Sequence, residues 1–399
     1  VQRAFTAATS GVMGPVFLEC PMDILFDKTT PVESSLSGEI SPSPTTVESV
    51  QQAVSLLRDA ERPVLLLGSQ ILFSPYASQI RSLVESLCIP VYTNGMARGA
   101  LGAHHPLLFL HSRKTALAQA DVVLLAGVPL DFRLNYGLSI AEHAQLIRVD
   151  RDAAELQRNR PGRVSAWGDP GDFLSQLARL FTPPSHNWAP WKSLLEAREN
   201  RRQAQMDAEA AASSLPVNPL RMCMEIDKLL TPHSIVIGDG GDIVGSAAYT
   251  VRPRGLGQWL DAGPLGTLGA GAPYAIAAKL LYPQSDVWVV FGDGAFGLNG
   301  MEYDTAVRFG LPFIGVVGND AAWTQIKRAQ IPFYGRAIAT ELLPSRYDKM
   351  VEALGGWGTY VENTEDLPSA LSAALASGKP ALVNVRIGET DFRKGSISM

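Results

Sequence analysis

Short continuous apolar runs alternate along this chain with longer stretches in which apolar residues recur every third or fourth position. Runs such as Arg62-Pro-Val-Leu-Leu-Leu67-Gly68, Ile89-Pro-Val-Tyr92, Val122–Leu125 and Leu146–Val149 are mostly apolar and predict buried strands. Between them Val47–Asp59, with Val50, Val54 and Leu57 at helical spacing, and Tyr76–Leu87 predict helices. Strands alternating with helices imply a parallel sheet covered on both faces, so 47–181 reads as a Rossmann-like α/β domain. The alternation resumes beyond residue 217. Strands are predicted at Ser234–Gly238, Ser285–Phe291, Phe313–Val317 and Ala381–Val385, with an apolar helix at Tyr274–Leu281, giving a second parallel-sheet domain over 217–399. Two stretches break the pattern. Asp27 to about Thr46, rich in Pro, Ser and Thr, reads as an exposed linker, and 182–216 reads as a helical connection with a charged, solvated face.

Composition narrows the function classes. With 399 residues, 46% hydrophobic, the chain is long enough for two or three domains with cores of their own. The 34 basic and 39 acidic residues leave a net charge of −5 without a basic run, which disfavours nucleic-acid binding. Cys20, Cys88 and Cys223 lack metal or redox spacing and read as reduced core thiols. Nothing approaches the roughly 20 apolar residues of a membrane span.

The chemistry concentrates in the second domain. Phe291-Gly292-Asp293-Gly294 follows one predicted strand, and Asn319-Asp320 follows the next, after about 24 intervening positions that hold one helix and one strand. That spacing delivers a carboxylate and an amide oxygen to one point, where Gly294 and Ala295 open a helix through Met301–Arg308. Magnesium seeks about six oxygens and takes several from a diphosphate and water, so the pattern reads as a magnesium-diphosphate site. A plain pair of strand-to-helix turns is the alternative. A second glycine-rich stretch, Gly263-Pro-Leu-Gly266-Thr267-Leu268-Gly269-Ala-Gly271, lets backbone approach a flat ligand closely, and Leu268 alone offers bulk there.

These motifs resemble the diphosphate-binding domain of the thiamine diphosphate enzymes of the acetolactate synthase superfamily. The resemblance implies that Asp293, Asn319 and the carbonyl of Ala321 bind magnesium. It implies that Leu268, with Gly266 and Thr267, supports a bent cofactor, and that Gly241, Asp242, Gly294 and Ala295 lie at the diphosphate. Acetolactate synthases carry Gln and His where this chain has Asp242 and Ile243, which counts against acetolactate synthesis. Gly318–Ile326 and Thr390–Ile397 narrow the resemblance to the acetolactate synthase-like proteins, also described as 2-hydroxyacyl-CoA lyase 2. That subgroup implies cleavage of a 2-hydroxyacyl-CoA into formyl-CoA and an aldehyde one carbon shorter. An acetolactate synthase or 2-oxoacid decarboxylase, and a non-catalytic nucleotide-binding or assembly subunit, are the competing readings.

The same resemblance makes 1–26 the end of a pyrimidine-binding domain, the remnant of a third domain, followed by the linker 27–46, the middle domain 47–181, the helical linker 182–216 and the diphosphate domain 217–399. It places the family's catalytic glutamate upstream of Val1, so no catalytic residue is assigned and the chain alone is expected to be inactive; Glu19 reads as structural. An endoplasmic reticulum membrane anchor is likewise implied upstream, as is a homodimer or homotetramer. On the middle domain, FAD or an ADP moiety is implied, with Asp150 either touching ribose or capping the next helix. Arg98 and Arg133 read as solvated arginines, Trp323 as core with Gln325 following the metal loop, and His104, His105 and His111 as loop residues.

Overall fold

The computed structural model describes residues 1–28, 30, 45–184, 188–211 and 215–388. Most of the expected linker and the Thr390–Ile397 segment lie outside the described residues. In the first domain β1 (Pro63–Leu67), β2 (Val91–Thr93), β3 (Val122–Ala126), β4 (Gln145–Asp150) and β5 (Val164–Trp167) form a sheet in the order β2-β1-β3-β4-β5. Every pair is parallel. β1 and β3 are buried at every position, which is why each appears as an unbroken aliphatic run.

The flanking helices begin where side chains can satisfy their free N–H groups. Thr46 accepts from Ser49 N at the head of the helix Val47–Asp59, and Asp169 accepts from Asp172 N before Pro170, which opens the helix Pro170–Leu180. The first turns to the core the stripe Val50, Ala53, Val54 and Leu57. Tyr76–Leu87 is a short 3-10 turn, Ala77–Gln79, running into an α-helix only from Ile80.

The second domain carries β6 (Ile235–Asp239), β7 (Trp259–Asp261), β8 (Val287–Gly292), β9 (Ile314–Asn319), β10 (Trp357–Val361) and β11 (Ala381–Arg386) in the order β10-β11-β9-β8-β6-β7, again all parallel. Alternate residues of β8 feed two cores: Val287, Val289 and Phe291 pack on one face, Trp288 and Val290 on the other. Roughly 1.5–3 kcal/mol per fully buried aliphatic or aromatic side chain makes these two layers the main stabilising contribution.

One helix expected across 294–308 is two, Asp293–Asn299 and Glu302–Arg308, with the Phe296 ring packed on Gly300 at the break. The connection Ala189–Ala211 is a single helix, and its charged face is not simply solvated. Glu199 accepts from the backbone N–H groups of Leu110, His111 and Ser112 and from Ser112 Oγ, tying the helix to the first domain. Trp191 Nε1 donates to Pro63 O at 3.1 Å, beside β1. Of the three thiols only Cys223 is a core residue; Cys20 is exposed and Cys88 half-buried. The helices Gln2–Thr9 and Met22–Phe26 bury no residue. Among the described residues no helix is long and apolar enough to cross a membrane.

Candidate functional site

β8 and β9 are hydrogen-bonded neighbours with Gly292 opposite Gly318, so Asp293 and Asn319 come next in register at the carboxyl ends of adjacent strands. Both are buried, at 2% and 0% exposure. Asp293 Oδ1 accepts from Gly294 N at 2.8 Å, whereas Asp293 Oδ2 and Asn319 Oδ1 have no hydrogen-bond partner although both are buried. The Asn319 amide is held by its other end: Nδ2 donates to Ser345 O and to Asn384 Oδ1. Leaving such oxygens unmatched costs about 1–3 kcal/mol each, so a native site that keeps two of them side by side calls for a ligand. Two hard oxygens suit a magnesium ion completed by diphosphate and water. Burial, and next the charge of Asp320, push the Asp293 carboxyl up to about 6 against backbone N–H groups of Gly294, Ala321 and Ala322.

Ala321 adopts φ 57°, a left-handed conformation uncommon for a non-glycine residue. Its carbonyl accepts from Leu342 N at 2.8 Å, which leaves one lone pair for another partner. Among the described residues no cluster of three or more His, Cys, Asp or Glu could hold a metal ion by itself. A cation here would depend on Asn319, a carbonyl and ligand oxygens.

Glycines close around this point. A Cβ on Gly240 would lie 2.9 Å from Gly292 N, one on Gly241 2.3 Å from Gln325 Oε1, and one on Gly294 2.7 Å from the Trp323 ring. Trp323 is therefore not core but a cover over Gly294, and Gln325 a cover over Gly241. Ile243 packs on Gly318 and Gly292, an apolar contact that His would not reproduce. Asp242 opens the helix Asp242–Thr250, and its carboxylate is paired with both Nη atoms of Arg328.

Sequence reasoning missed the role of Asp239, at the end of β6. Its carboxylate accepts from Gly269 N at 2.9 Å and Gly271 N at 2.7 Å, clamping the second glycine-rich stretch to the sheet. Burial raises its pKa against those two bonds and one from Ala270. An acidic residue between glycines at a strand end was the available signal. Asn299 Nδ2 donates to Gly269 O, so the loop is held from both sides.

Gly266 and Thr267 are exposed and Leu268 half-buried; the three face a pocket of about 50 Å³ between the domains, shared with Asn94, Arg98 and Arg133. Asp293 and Asn319 do not border it. Arg98 and Arg133 are not solvated as expected. The Arg98 guanidinium lies 5.4 Å over the Trp259 ring, and burial lowers its pKa to about 10, with Asp261 opposing and Arg113 and Arg133 reinforcing. Arg133 pairs with Asp131 at 2.7 Å with its side chain 9% exposed.

Asp150, at the end of β4, is buried and accepts from Gln70 Nε2 at 2.9 Å and Asp152 N at 2.8 Å. The helix cap is Asp152, which accepts from Ala154 N, so the capping reading of Asp150 falls. Asp150 borders a cavity of about 1050 Å³ between the domains, with Gly68, Gly127, Arg133 and Tyr274 on its wall. His105 and His111 do have partners. His105 Nε2 lies 3.0 Å from Glu85 Oε1, and His111 stacks on Tyr249 with Nε2 3.3 Å from Gln203 Oε1.

Comparison with known proteins gives two family matches. Residues 50–177 match the thiamine pyrophosphate enzyme central domain, and residues 239–385 match the thiamine pyrophosphate enzyme C-terminal TPP binding domain. Similar whole proteins include a 2-hydroxyacyl-CoA lyase 2 of Caenorhabditis elegans, 39% identical over 100% of this chain and 70% of the relative. The Homo sapiens 2-hydroxyacyl-CoA lyase 2 is 37% identical over the same shares, 100% and 70%. The acetolactate synthase large subunit IlvG of Mycobacterium tuberculosis is 38% identical over 96% of this chain and 70% of its own length.

Proposed function

The chain belongs to the thiamine pyrophosphate enzymes, and from that premise we propose that it serves a magnesium-dependent lyase that cleaves 2-hydroxyacyl-CoA into formyl-CoA and an aldehyde one carbon shorter. The observation that carries the cofactor site is the pair of buried, unmatched oxygens, Asp293 Oδ2 and Asn319 Oδ1, at neighbouring strand ends. With the Ala321 carbonyl they would hold magnesium, and Gly241, Asp242, Gly294 and Ala295 would border the diphosphate. Gly266, Thr267 and Leu268 would support the ring system. When bound, thiamine diphosphate supplies a thiazolium that accepts the electrons of the broken carbon–carbon bond. The protein's part is to orient that group and to cover it with Trp323 and Gln325.

The larger interdomain cavity, with Asp150 and Arg133 on its wall, is the proposed place for the ADP moiety of CoA; a flavin is the other candidate. A homodimer or homotetramer is proposed as the working form. Met301 and Phe309 are 62% and 65% exposed on the second domain, apolar surface that a second copy would cover.

One observation favours a second reading, acetolactate synthase or 2-oxoacid decarboxylase. The Arg98 guanidinium makes no hydrogen bond or ion pair among the described residues, and a free carboxylate would match it better than a neutral thioester. Full-length protein given 2-hydroxyacyl-CoA or pyruvate separates the two: formyl-CoA with aldehyde supports the lyase, and turnover of pyruvate alone overturns it. Asp293→Ala is expected to abolish magnesium-dependent thiamine diphosphate binding in calorimetry. Unchanged affinity would remove Asp293 as a ligand.

A further inference from the structure

The helix Thr324–Tyr334 has no buried residue, so apolar packing does not explain where it sits. Its attachments are polar or aromatic and several fall on the glycine segments of the candidate site. Trp323, just before it, covers Gly294; Gln325 covers Gly241; Thr324 Oγ1 donates to Asp320 Oδ2 at 2.5 Å. The longest reach in sequence is made by Arg328, which grips both carboxylate oxygens of Asp242 in a fork, with Nη2 2.5 Å from Oδ1. Side-chain exposures of 26% for Arg328 and 17% for Asp242 place this pair partly out of bulk water, where a bidentate charge-assisted contact counts for more than a fully exposed pair.

Asp242 poses an electrostatic problem if a diphosphate is held beside Gly241. A carboxylate next to a polyanion repels it. We propose that Arg328 is a positioning residue for the cofactor: it neutralises Asp242 and fastens the helix Thr324–Tyr334 across Gly241 and Gly294, so that the anionic end of the cofactor is tolerated there. The inference rests on the proposed placement of the diphosphate. The Asp and Arg then act as a unit without net charge. Removing only the cation leaves a bare carboxylate facing the anion, while removing both charges restores the neutral arrangement.

The test is calorimetric titration of the full-length protein with thiamine diphosphate and magnesium, comparing wild type, Arg328→Gln, Asp242→Asn and the double variant. The expected Kd rises about tenfold or more in Arg328→Gln, falls in Asp242→Asn, where the unpaired guanidinium attracts the anion, and in the double variant recovers to at least about threefold below that of Arg328→Gln. Trypsin cleavage at Lys327 is expected to accelerate in Arg328→Gln before ligand is added, a readout independent of turnover. If Arg328→Gln does not fold, Arg328→Lys keeps the charge without the fork and should give an intermediate Kd. Wild type that fails to bind thiamine diphosphate would overturn the proposed cofactor site itself. Wild type that binds while Arg328→Gln binds equally well, or a double variant as weak as Arg328→Gln, would overturn this inference alone.

Discussion

Asp239 lies in the interior with both carboxylate oxygens engaged by glycine N–H groups, and its burial cost is offset only while that geometry holds. Asparagine at this position keeps one acceptor and places an NH2 against a backbone N–H. Asp239→Asn is therefore expected to destabilise the fold by about 1–3 kcal/mol in urea denaturation and to weaken cofactor binding, since the loop carrying Leu268 loses its clamp. A denaturation midpoint equal to wild type would show that Asn299 alone holds the loop. The residue scale also explains why Asp293 and Asn319 stand out in the bare chain. Their side-chain types and spacing are the chemistry, and the sheet only has to bring two strand ends together. Arg98 and Arg133 do not stand out in this way, because an arginine carries no mark of whether another domain will cover it.

At the scale of elements, the strands legible as apolar runs are mostly those with a neighbour on each side. β1, β3, β8 and β9 are interior, and a strand buried on both faces must be apolar throughout. The strands the pattern did not reveal, β5, β7 and β10, are all at sheet edges. Val164-Ser-Ala-Trp167 alternates burial, Trp259–Asp261 is only three residues long, and Trp357–Val361 is half-buried along most of its length. The helix Ala189–Ala211 shows the opposite limit: its polar composition resembles a solvated connector, yet Glu199 holds the backbone of Leu110–Ser112 that leads into the helix Arg113–Gln119. Glu199→Ala leaves three backbone donors without that acceptor, and a loss of about 1–3 kcal/mol is expected. Hydrogen exchange should speed up at Leu110, His111 and Ser112; unchanged exchange there would mean that water replaces the carboxylate without cost.

Across the whole molecule, His111 marks the junction of first domain, connecting helix and second domain. It faces Glu199 and Gln203 from the connecting helix, with Arg202 on the same helix, and Tyr249 and Arg252 from the second domain. Burial lowers its pKa below the usual 6.5, with Glu199 and the Gln203 contact opposing and the two arginines reinforcing. The unfolded chain therefore takes up the proton more readily than the folded one. The stability linked to His111 is present above about pH 6.5 and is lost as pH falls through that value towards the depressed one. Between pH 7 and pH 5.5 the melting temperature of wild type should drop further than that of His111→Gln; parallel profiles would discount the histidine.

Sequence alone determined the α/β class, the two parallel-sheet domains and the Asp293–Asn319 pair, because each is written in local periodicity and spacing that the chain carries without help from distant residues. Tertiary structure alone decided that Asp239 clamps a loop thirty residues away, that Arg328 answers Asp242, that Trp323 and Gln325 cover glycines, and that Arg98 is enclosed between domains. Those are contacts between surfaces. Their partners are set by how sheets and helices stack, and a single side chain's identity does not encode what will be packed against it.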